Sequence, residues 1–464
     1  MARILTLAAV IAALAATPAN ARGLRLGFYE SGFENAGGTT LVDDAANLGA
    51  SIVRITPLWT QVAPTSRPSG FNARNAADPA YRWSGVDAAV KEAAGRGMQV
   101  IFTFQQAPVW AEGGGRSNTA PAGTWKPRTS DLANFAHAAA ERYSGHFPDP
   151  LDPTRTLPRV RYWQAWNEPN LATYLTPQWV PTGRGFTAAS PSHYRSMLNA
   201  VYGAVKAVSR TNFVVSAGTA PYGDLAPGGR RIAPVAFMRG VFCLNRALRR
   251  TRGCSNRAHL DAISHHPYAV AGPSRHALNA DDVAIPDLGK LTRVLRAAQR
   301  AGTVLPRGGK RLWVTEISWD SRPPDPNGVP ERTHARWLAE SLESLWRQKV
   351  DTITWFQVRD QLPIPDYAST YQSGVLFADG REKLAAAAFR FPFVARRNRG
   401  RIHYWLRAPT GGRLSLQIKV GSSWRTALRR RVHAGQIVTG ERTYRAGTAA
   451  RAAVGNRQSM GWTL

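Results

Sequence analysis

Two glutamates follow strand-like runs, and a carboxylate held at the end of a strand can donate a proton or attack a carbon atom. Glu168 follows the aromatic run 162–166 within Trp-Asn-Glu-Pro-Asn, and Glu316 follows the run 311–315 within Val-Thr-Glu-Ile-Ser-Trp. No metal-ligand motif surrounds either residue, so the pair indicates acid/base and nucleophilic chemistry rather than metal-assisted hydrolysis. Taken alone, Asn-Glu-Pro-Asn could also be a polar turn after a buried strand.

Pro169 predicts the local backbone at the first glutamate. Proline lacks an N–H group and has a fixed φ, so a central strand cannot continue through it. The residue before a proline is also biased towards an extended conformation. We therefore expect Glu168 to be extended, at a strand end with a rigid loop behind it.

The order of helix and strand signals predicts how the two glutamates are positioned. Strand-like runs alternate with amphipathic helical runs from residue 24 to residue 390, and the strand-like runs can be counted as about eight, the number of strands in a TIM barrel. This pattern predicts an α/β protein with a (β/α)8 TIM barrel over residues 22–393. A doubly wound sheet agrees less well with the sequence, because no glycine-rich phosphate loop follows the first strand. The ends of barrel strands converge on one mouth, where Glu168 and Glu316 would face each other.

The two ends of the chain differ from the barrel. Residues 1–21 combine a basic start, a short apolar run and small residues at Ala19 and Ala21, a pattern typical of a secretory signal. We expect cleavage after Ala21 and export of the mature chain as a monomer. We expect no membrane span, because no other apolar run approaches the length of one. Beyond residue 393, alternation at period two predicts a small antiparallel, sandwich-like β domain over 394–464.

The net charge of +30 raises the question of an anionic partner. The positive charge is mostly arginine and scattered, and its local concentrations at 246–257, 396–401 and 429–431 lack the interleaved aromatic residues of a base-stacking groove. We therefore expect no nucleic-acid partner. Electrostatic adhesion to anionic cell-wall polymers stays open, as does the alternative of a basic surface-adhesion protein.

Two cysteines and a pair of adjacent histidines are the candidate metal ligands of the sequence. Cys243 and Cys254 lie eleven positions apart in an arginine-rich segment, and in an exported chain such a pair indicates a disulfide closing one loop. His265 and His266 have no third ligand at a recognisable spacing, so we expect no metal and no cofactor. One of these two is expected to be a packed core histidine.

The motifs at strands four and seven resemble those of the clan A glycoside hydrolases, the retaining (β/α)8 enzymes that include families 5 and 39. The resemblance covers roughly residues 24 to 390 and not the tail. It implies that Glu168 is the acid/base and Glu316 the nucleophile of a double-displacement hydrolysis of O-glycosidic bonds in a poly- or oligosaccharide. A carbohydrate-binding barrel without catalysis and a transglycosylase are the alternatives.

The resemblance also implies roles in substrate binding. A cation near the nucleophile would keep it ionised while the acid/base keeps its proton. The implied roles are Asn167 on the sugar 2-hydroxyl, Arg54 supporting Glu316, Tyr268 contacting Glu316, His266 contacting the sugar, and Trp355 stacking on it. Arg54 could instead be a surface ion-pair residue, and Trp355 could be barrel filling.

The chain departs from the family 5 pattern at strand three. That strand ends in Gln105 and Gln106, without the histidine found there in many family 5 cellulases. The resemblance therefore does not extend to a β-1,4-glucan specificity.

Overall fold

Eight parallel strands close into a barrel in the computed structural model, which describes residues 23–35, 37–444 and 447–464. Each strand pairs with its neighbours in sequence, and the first strand closes the barrel against the eighth. The predicted (β/α)8 barrel is confirmed, whereas the predicted signal segment 1–21 lies outside the described residues. The strands are β1 Arg25–Tyr29, β2 Ile52–Ile55, β3 Gln99–Thr103, β4 Tyr162–Ala165, β5 Phe213–Thr219, β6 Ala262–His265, β7 Arg311–Val314 and β8 Val350–Phe356.

A helix follows each barrel strand and covers its outer face. In the helix Gly289–Arg300 the buried residues Leu291, Val294, Leu295 and Ala298 recur at helical spacing, so one face packs on the barrel and the other is left to solvent. The helices are α1 Gly38–Asn47, α2 Ser84–Gly95, α3 Thr129–Arg142, α4 Ser190–Val208, α5 Pro234–Val241, α6 Gly289–Arg300, α7 Glu331–Arg347 and α8 Leu384–Arg390, with a further single turn at Trp59–Val62.

The barrel interior is packed with side chains. Gly27 allows β1 to approach β2 closely, because a Cβ there would lie 1.6 Å from the carbonyl oxygen of Ile52. One cluster of buried side chains comes from six different strands and contains Ile52, Ile101, Tyr162, Val215, Ala262 and Trp313. An interior filled by side chains, rather than an open pore, is expected of a TIM barrel.

The tail forms two antiparallel sheets that pack on the barrel. The strands are β9 Phe393–Asn398, β10 Arg401–Arg407, β11 Gly412–Val420, β12 Ser423–Val432, β13 Ile437–Thr443, β14 Ala449–Val454, β15 Arg457–Gln458 and β16 Trp462–Thr463. One sheet has three strands in the order β9-β10-β13, and the other has β12-β11-β14-β15 with β16 paired to β14. The three-stranded sheet is anchored to the barrel by Arg407, which donates to the carbonyl oxygen of Leu24 at 3.2 Å, and by Arg396, which pairs with Glu343 of α7. In the other sheet, the ring centroid of Trp462 lies 4.5 Å from the guanidinium carbon of Arg336 on α7.

The two cysteines lie in the segment between α5 and β6. Cys243 and Cys254 are joined as a disulfide, with their Cα atoms 5.9 Å apart. Among the helices of the described residues, none has both the length and the apolar character needed to cross a membrane.

Candidate active site

The barrel brings the two predicted glutamates together at the C-terminal ends of its strands. Glu168 follows β4 and Glu316 follows β7, and each is 8% exposed. One carboxylate oxygen of each, together with a ring nitrogen of His266, lie within 4.8 Å of one another. Two carboxylates at this separation can act on the two atoms of the same bond in a substrate.

Glu316 is surrounded by groups that stabilise its charged form. Nη1 of Arg54 lies 2.5 Å from Oε1 of Glu316, and the hydroxyl of Tyr268 donates to Oε2 at 2.9 Å. Burial alone would raise the pKa of Glu316, but the charges of His266 and Arg54 and the hydrogen bonds from Arg54 and Tyr268 hold it below its ordinary value. Glu316 is therefore a carboxylate at neutral pH, as a nucleophile must be.

The surroundings of Glu168 favour its protonated form. Burial raises the pKa of Glu168, and the negative charge of Glu316 raises it further, although the hydrogen bond and charge of His266 act against the rise. Nδ1 of His266 is 2.9 Å from Oε1 of Glu168. Two neighbouring carboxyl groups whose pKa values are moved apart in this way are suited to separate acid and nucleophile roles.

The backbone at Glu168 differs from the expectation. The φ angle of Glu168 is 33° and that of Trp166 is 80°, so the residue before Pro169 is not extended. Two backbone hydrogen bonds hold this conformation. The N–H of Glu168 donates to the carbonyl oxygen of Gly218 at 3.0 Å, and the N–H of Leu171 donates to the carbonyl oxygen of Glu168 at 2.9 Å. Such a backbone costs about 1–3 kcal/mol per residue and persists where its surroundings over-determine it.

Arg54 and Asn167 form one hydrogen-bonded unit below the cavity. Arg54 is fully buried, which excludes the surface ion-pair alternative, and its Nε donates to Oγ1 of Thr103 at 2.9 Å. Its Nη2 donates to Oδ1 of Asn167 at 2.8 Å. Since Asn167 lines the cavity and its amide oxygen is occupied, its amide nitrogen is the group left to donate to a ligand. Arg54 acts through Glu316 and Asn167 rather than by touching a ligand.

The histidine pair has two structural roles. His266 is fully buried and bonds Glu168 through Nδ1 and Oγ1 of Thr315 through Nε2, so it lies behind Glu168 instead of in the cavity where a sugar contact was expected. His265 bonds Thr219 and the carbonyl oxygen of Val283. Burial lowers the pKa of His265 to about 3, so it is a neutral core histidine.

A glycine lets His266 reach its position. A Cβ at Gly218 would lie 1.9 Å from Nε2 of His266, so a larger residue at the end of β5 would displace the ring. The spacing of Glu168, His266 and Glu316 could also hold a metal ion. However, both ring nitrogens of His266 already face hydrogen-bonding partners and Arg54 faces Glu316, so these atoms are engaged by protein groups.

Trp355, which was expected to stack on the sugar, lies outside the cavity. Trp355 is fully buried, packs against His334 and Trp319, and donates from Nε1 to the carbonyl oxygen of Ser373 at 2.9 Å. It faces the helices and does not line the cavity. The next residue, Phe356, lines the cavity instead, because successive side chains of a strand point to opposite faces.

The cavity above the glutamates has a volume of about 470 Å³, within the usual range for small-ligand sites. Tyr29 stacks on Phe356 with ring centroids 5.3 Å apart, and Tyr371 meets Phe356 edge-on at 5.0 Å. The lining thus combines aromatic faces with amide and carboxylate groups. Lining residues that the sequence reasoning missed include Tyr29, Gln105, Tyr174, Arg231, Gln361 and Tyr371.

Part of this missed set had a signal in the sequence. Tyr29 ends β1, so the strand-end rule that located Glu168 would also have located Tyr29. The same rule placed Gln105 at the end of strand three, but without assigning it to the site. Tyr174, Arg231 and Tyr371 come from long loops, whose path the sequence pattern does not predict.

Comparison with known proteins supports the fold. Neither family models nor curated proteins match the chain by sequence. Among solved structures, a family 39 glycoside hydrolase from the gut symbiont Bacteroides cellulosilyticus WH2 is similar with a TM-score of 0.56 at 17% identity, covering 90% of this chain and 80% of that chain. A glucosidase from Croceicoccus marinus is similar with a TM-score of 0.52 at 15% identity, over 89% of this chain and 81% of that chain. GH5_18 from Streptomyces cattleya, solved with GlcNAc, has a TM-score of 0.50 at 16% identity, over 80% of this chain and 79% of that chain.

These neighbours have the architecture that the motifs at strands four and seven implied. Because the sequence identities are below one fifth, these neighbours show a shared fold only. The chemistry has to be inferred from the side chains of this chain. The resemblance of this chain to the clan A glycoside hydrolases is therefore confirmed at the level of the fold.

Proposed function

We propose that the protein is a retaining glycoside hydrolase that cleaves O-glycosidic bonds of a poly- or oligosaccharide. The observation that carries this proposal is the pair Glu168 and Glu316, with oxygens within 4.8 Å and pKa values moved in opposite directions. The similarity of the barrel to glycoside hydrolases supports it.

In the first step, the carboxylate of Glu316 attacks the anomeric carbon while the bond from that carbon to the leaving oxygen breaks. Glu168 donates its proton to the leaving oxygen. In the second step, Glu168 takes a proton from water, the water oxygen bonds to the anomeric carbon, and the bond to Glu316 breaks. Tyr268 and Arg54 hold the carboxylate of Glu316 in place throughout.

The close approach of the two carboxylates favours retention over inversion. Retaining enzymes hold their two carboxyl groups roughly 5–5.5 Å apart, whereas inverting enzymes need about 6.5–9.5 Å to admit a water molecule. The separation within 4.8 Å between oxygens of Glu168 and Glu316 is consistent with the shorter spacing.

We further propose that the protein acts outside the cell. The basic, apolar and small-residue pattern of residues 1–21 supports export. N-terminal sequencing of protein recovered from the culture medium should begin at Arg22, and a mature chain that begins at Met1 would contradict this proposal.

A substrate screen tests the proposed reaction. The protein should release the aglycone from at least one aryl glycoside, or sugars from a plant, fungal or bacterial polysaccharide, while Glu316→Ala should not. Glu343→Gln is a matched control, because Glu343 is a buried carboxylate that pairs with Arg347 and Arg396 away from the cavity. Tight glycan binding without turnover would indicate a carbohydrate-binding barrel, and transfer of the sugar to an added alcohol in preference to water would indicate a transglycosylase.

Leaving-group dependence and product stereochemistry test the individual roles. Glu168→Ala should retain activity on aryl glycosides with very good leaving groups, because their departure needs no proton, whereas Glu316→Ala should be inactive on all of them. NMR of the first product should show the anomeric configuration of the substrate. An inverted product would refute the double displacement.

A further inference from the structure

A second concave site lies at the end of the barrel opposite to the glutamates. It is bounded by α6, the start of β7 and the turn before β8, and has a volume of about 750 Å³. Arg311 is the first residue of β7 and Lys349 directly precedes β8, so this site is at the N-terminal ends of the strands. We call it the basal groove, and its charged lining residues are Arg293, Arg296, Arg300, Lys310, Arg311, Arg347, Lys349 and Asp351.

The basal groove has far more positive than negative charge. Among the described residues that line it, the one carboxylate is Asp351, which lies 3.6 Å from Arg311 and 3.7 Å from Arg25. Arg347 pairs with Glu343 at 2.8 Å. An adjoining hollow of about 440 Å³ shares part of this lining and adds a further arginine. The cations without an ion pair to any described residue are Arg293, Arg296, Arg300, Arg307, Lys310 and Lys349. Of these, Lys310 donates to the carbonyl oxygen of Pro306.

The geometry of α6 clusters three of these unpaired cations. Arg293, Arg296 and Arg300 are spaced three and four residues apart and are exposed, while the alternate face of the helix is buried. They therefore project from one side of the helix. Like charges gathered in a concavity repel each other, so an anionic ligand would relieve that repulsion.

Uncharged groups in the groove indicate what kind of anion fits. The side-chain nitrogens of Gln299 and Gln348 donate to the carbonyl oxygens of Gly308 and Ile285, at 2.8 and 2.6 Å. Their amide oxygens have no partner among the described residues and can accept a hydrogen bond from a hydroxyl group. No aromatic side chain of the described residues lines the groove, so it offers no platform for stacking nucleic-acid bases.

We propose that the basal groove binds an acidic polysaccharide. The arginines and lysines pair with its carboxylates, and the two glutamine amide oxygens accept hydrogen bonds from its hydroxyl groups. This site is separate from the cavity at Glu168 and Glu316, and the proposal does not depend on hydrolysis there.

Binding of polygalacturonate to the full chain tests this proposal. The affinity is measured by fluorescence anisotropy over a range of salt concentrations, with neutral dextran as the control ligand. The groove variant is Arg296→Glu with Arg300→Glu. The matched control is Arg425→Glu with Arg429→Glu, because these arginines are exposed on β12, have no ion pair to a described residue, and change the net charge by the same amount.

We expect salt-sensitive binding of polygalacturonate and none of dextran. The groove variant should bind about tenfold or more weakly, whereas the control variant should bind about as well as the unaltered protein. Equal losses in both variants would show that net charge alone acts, and an unaffected groove variant would also refute the proposal. Displacement by duplex DNA or inorganic polyphosphate at lower concentration than by polygalacturonate would refute the choice of partner.

Folding of the variants is checked by their thermal unfolding. If Arg296→Glu with Arg300→Glu does not fold, Arg300→Gln with Lys349→Gln removes positive charge from the groove without adding negative charge. That variant is expected to show the same selective loss of polygalacturonate binding, and normal binding by it would overturn the assignment.

Discussion

Nη1 of Arg54 lies 2.5 Å from Oε1 of Glu316, although the two residues are 262 positions apart in the sequence. The same guanidinium also bonds Thr103 and Asn167. It therefore links the carboxylate proposed as the nucleophile with the amide expected to touch the sugar.

Replacing Arg54 with methionine should damage both stability and activity. It leaves the buried carboxylate of Glu316 without its cation, a change that typically costs about 3–5 kcal/mol. The pKa of Glu316 should rise, so the acid limb of the kcat/KM profile should move to higher pH. Urea unfolding and pH–rate profiles measure the two effects, and a destabilised variant with an unmoved acid limb would show that Arg54 is only structural.

The pH dependence of kcat/KM should be bell-shaped. Glu316 must be ionised, so activity is lost as the pH falls through its lowered pKa. Glu168 must be protonated, so activity is lost as the pH rises through its raised pKa. In Glu168→Gln, assayed on a substrate with a very good leaving group, the basic limb should disappear and the acid limb should stay. Persistence of the basic limb would assign it to another group.

Gly218→Ala should impair catalysis through His266. The added Cβ would lie 1.9 Å from Nε2 of His266, and overpacking of this kind costs about 1–3 kcal/mol. Displacement of the ring loosens its bond to Glu168, so we expect kcat to fall about tenfold or more with the fold retained. Gly203→Ala in α4 is the control, since nothing lies within 4 Å of its Cβ, and it should stabilise the protein by about 0.5–1 kcal/mol. Unchanged kcat in Gly218→Ala would contradict the role given to His266.

Neighbouring substitutions in β8 should separate substrate binding from packing. Phe356→Ala removes an aromatic face from the cavity and should lower kcat/KM by about tenfold or more. Trp355→Phe removes buried volume and the bond to Ser373, so it should lower the unfolding free energy by about 1–3 kcal/mol with a smaller effect on kcat/KM. A larger loss of kcat/KM in Trp355→Phe than in Phe356→Ala would indicate that Trp355 is the residue that stacks on the sugar.

Much of the fold was predictable because its signals are local. The alternation of buried strands with amphipathic helices follows from residue periodicity. The tail was harder to predict. β12 carries Arg425 and Arg429–Arg431 on an exposed edge strand, and charged residues there obscure the alternation that reveals a strand.

By itself, the sequence determined that two carboxylates end barrel strands four and seven, because strand order and strand ends can be counted along the chain. Tertiary structure decided which neighbouring groups surround them. Arg54, His266 and Tyr268 meet the glutamates only through barrel closure. It also decided that Phe356 and not Trp355 faces the cavity, because a shift of one residue along a strand exchanges its two faces and composition does not say which face is turned inward.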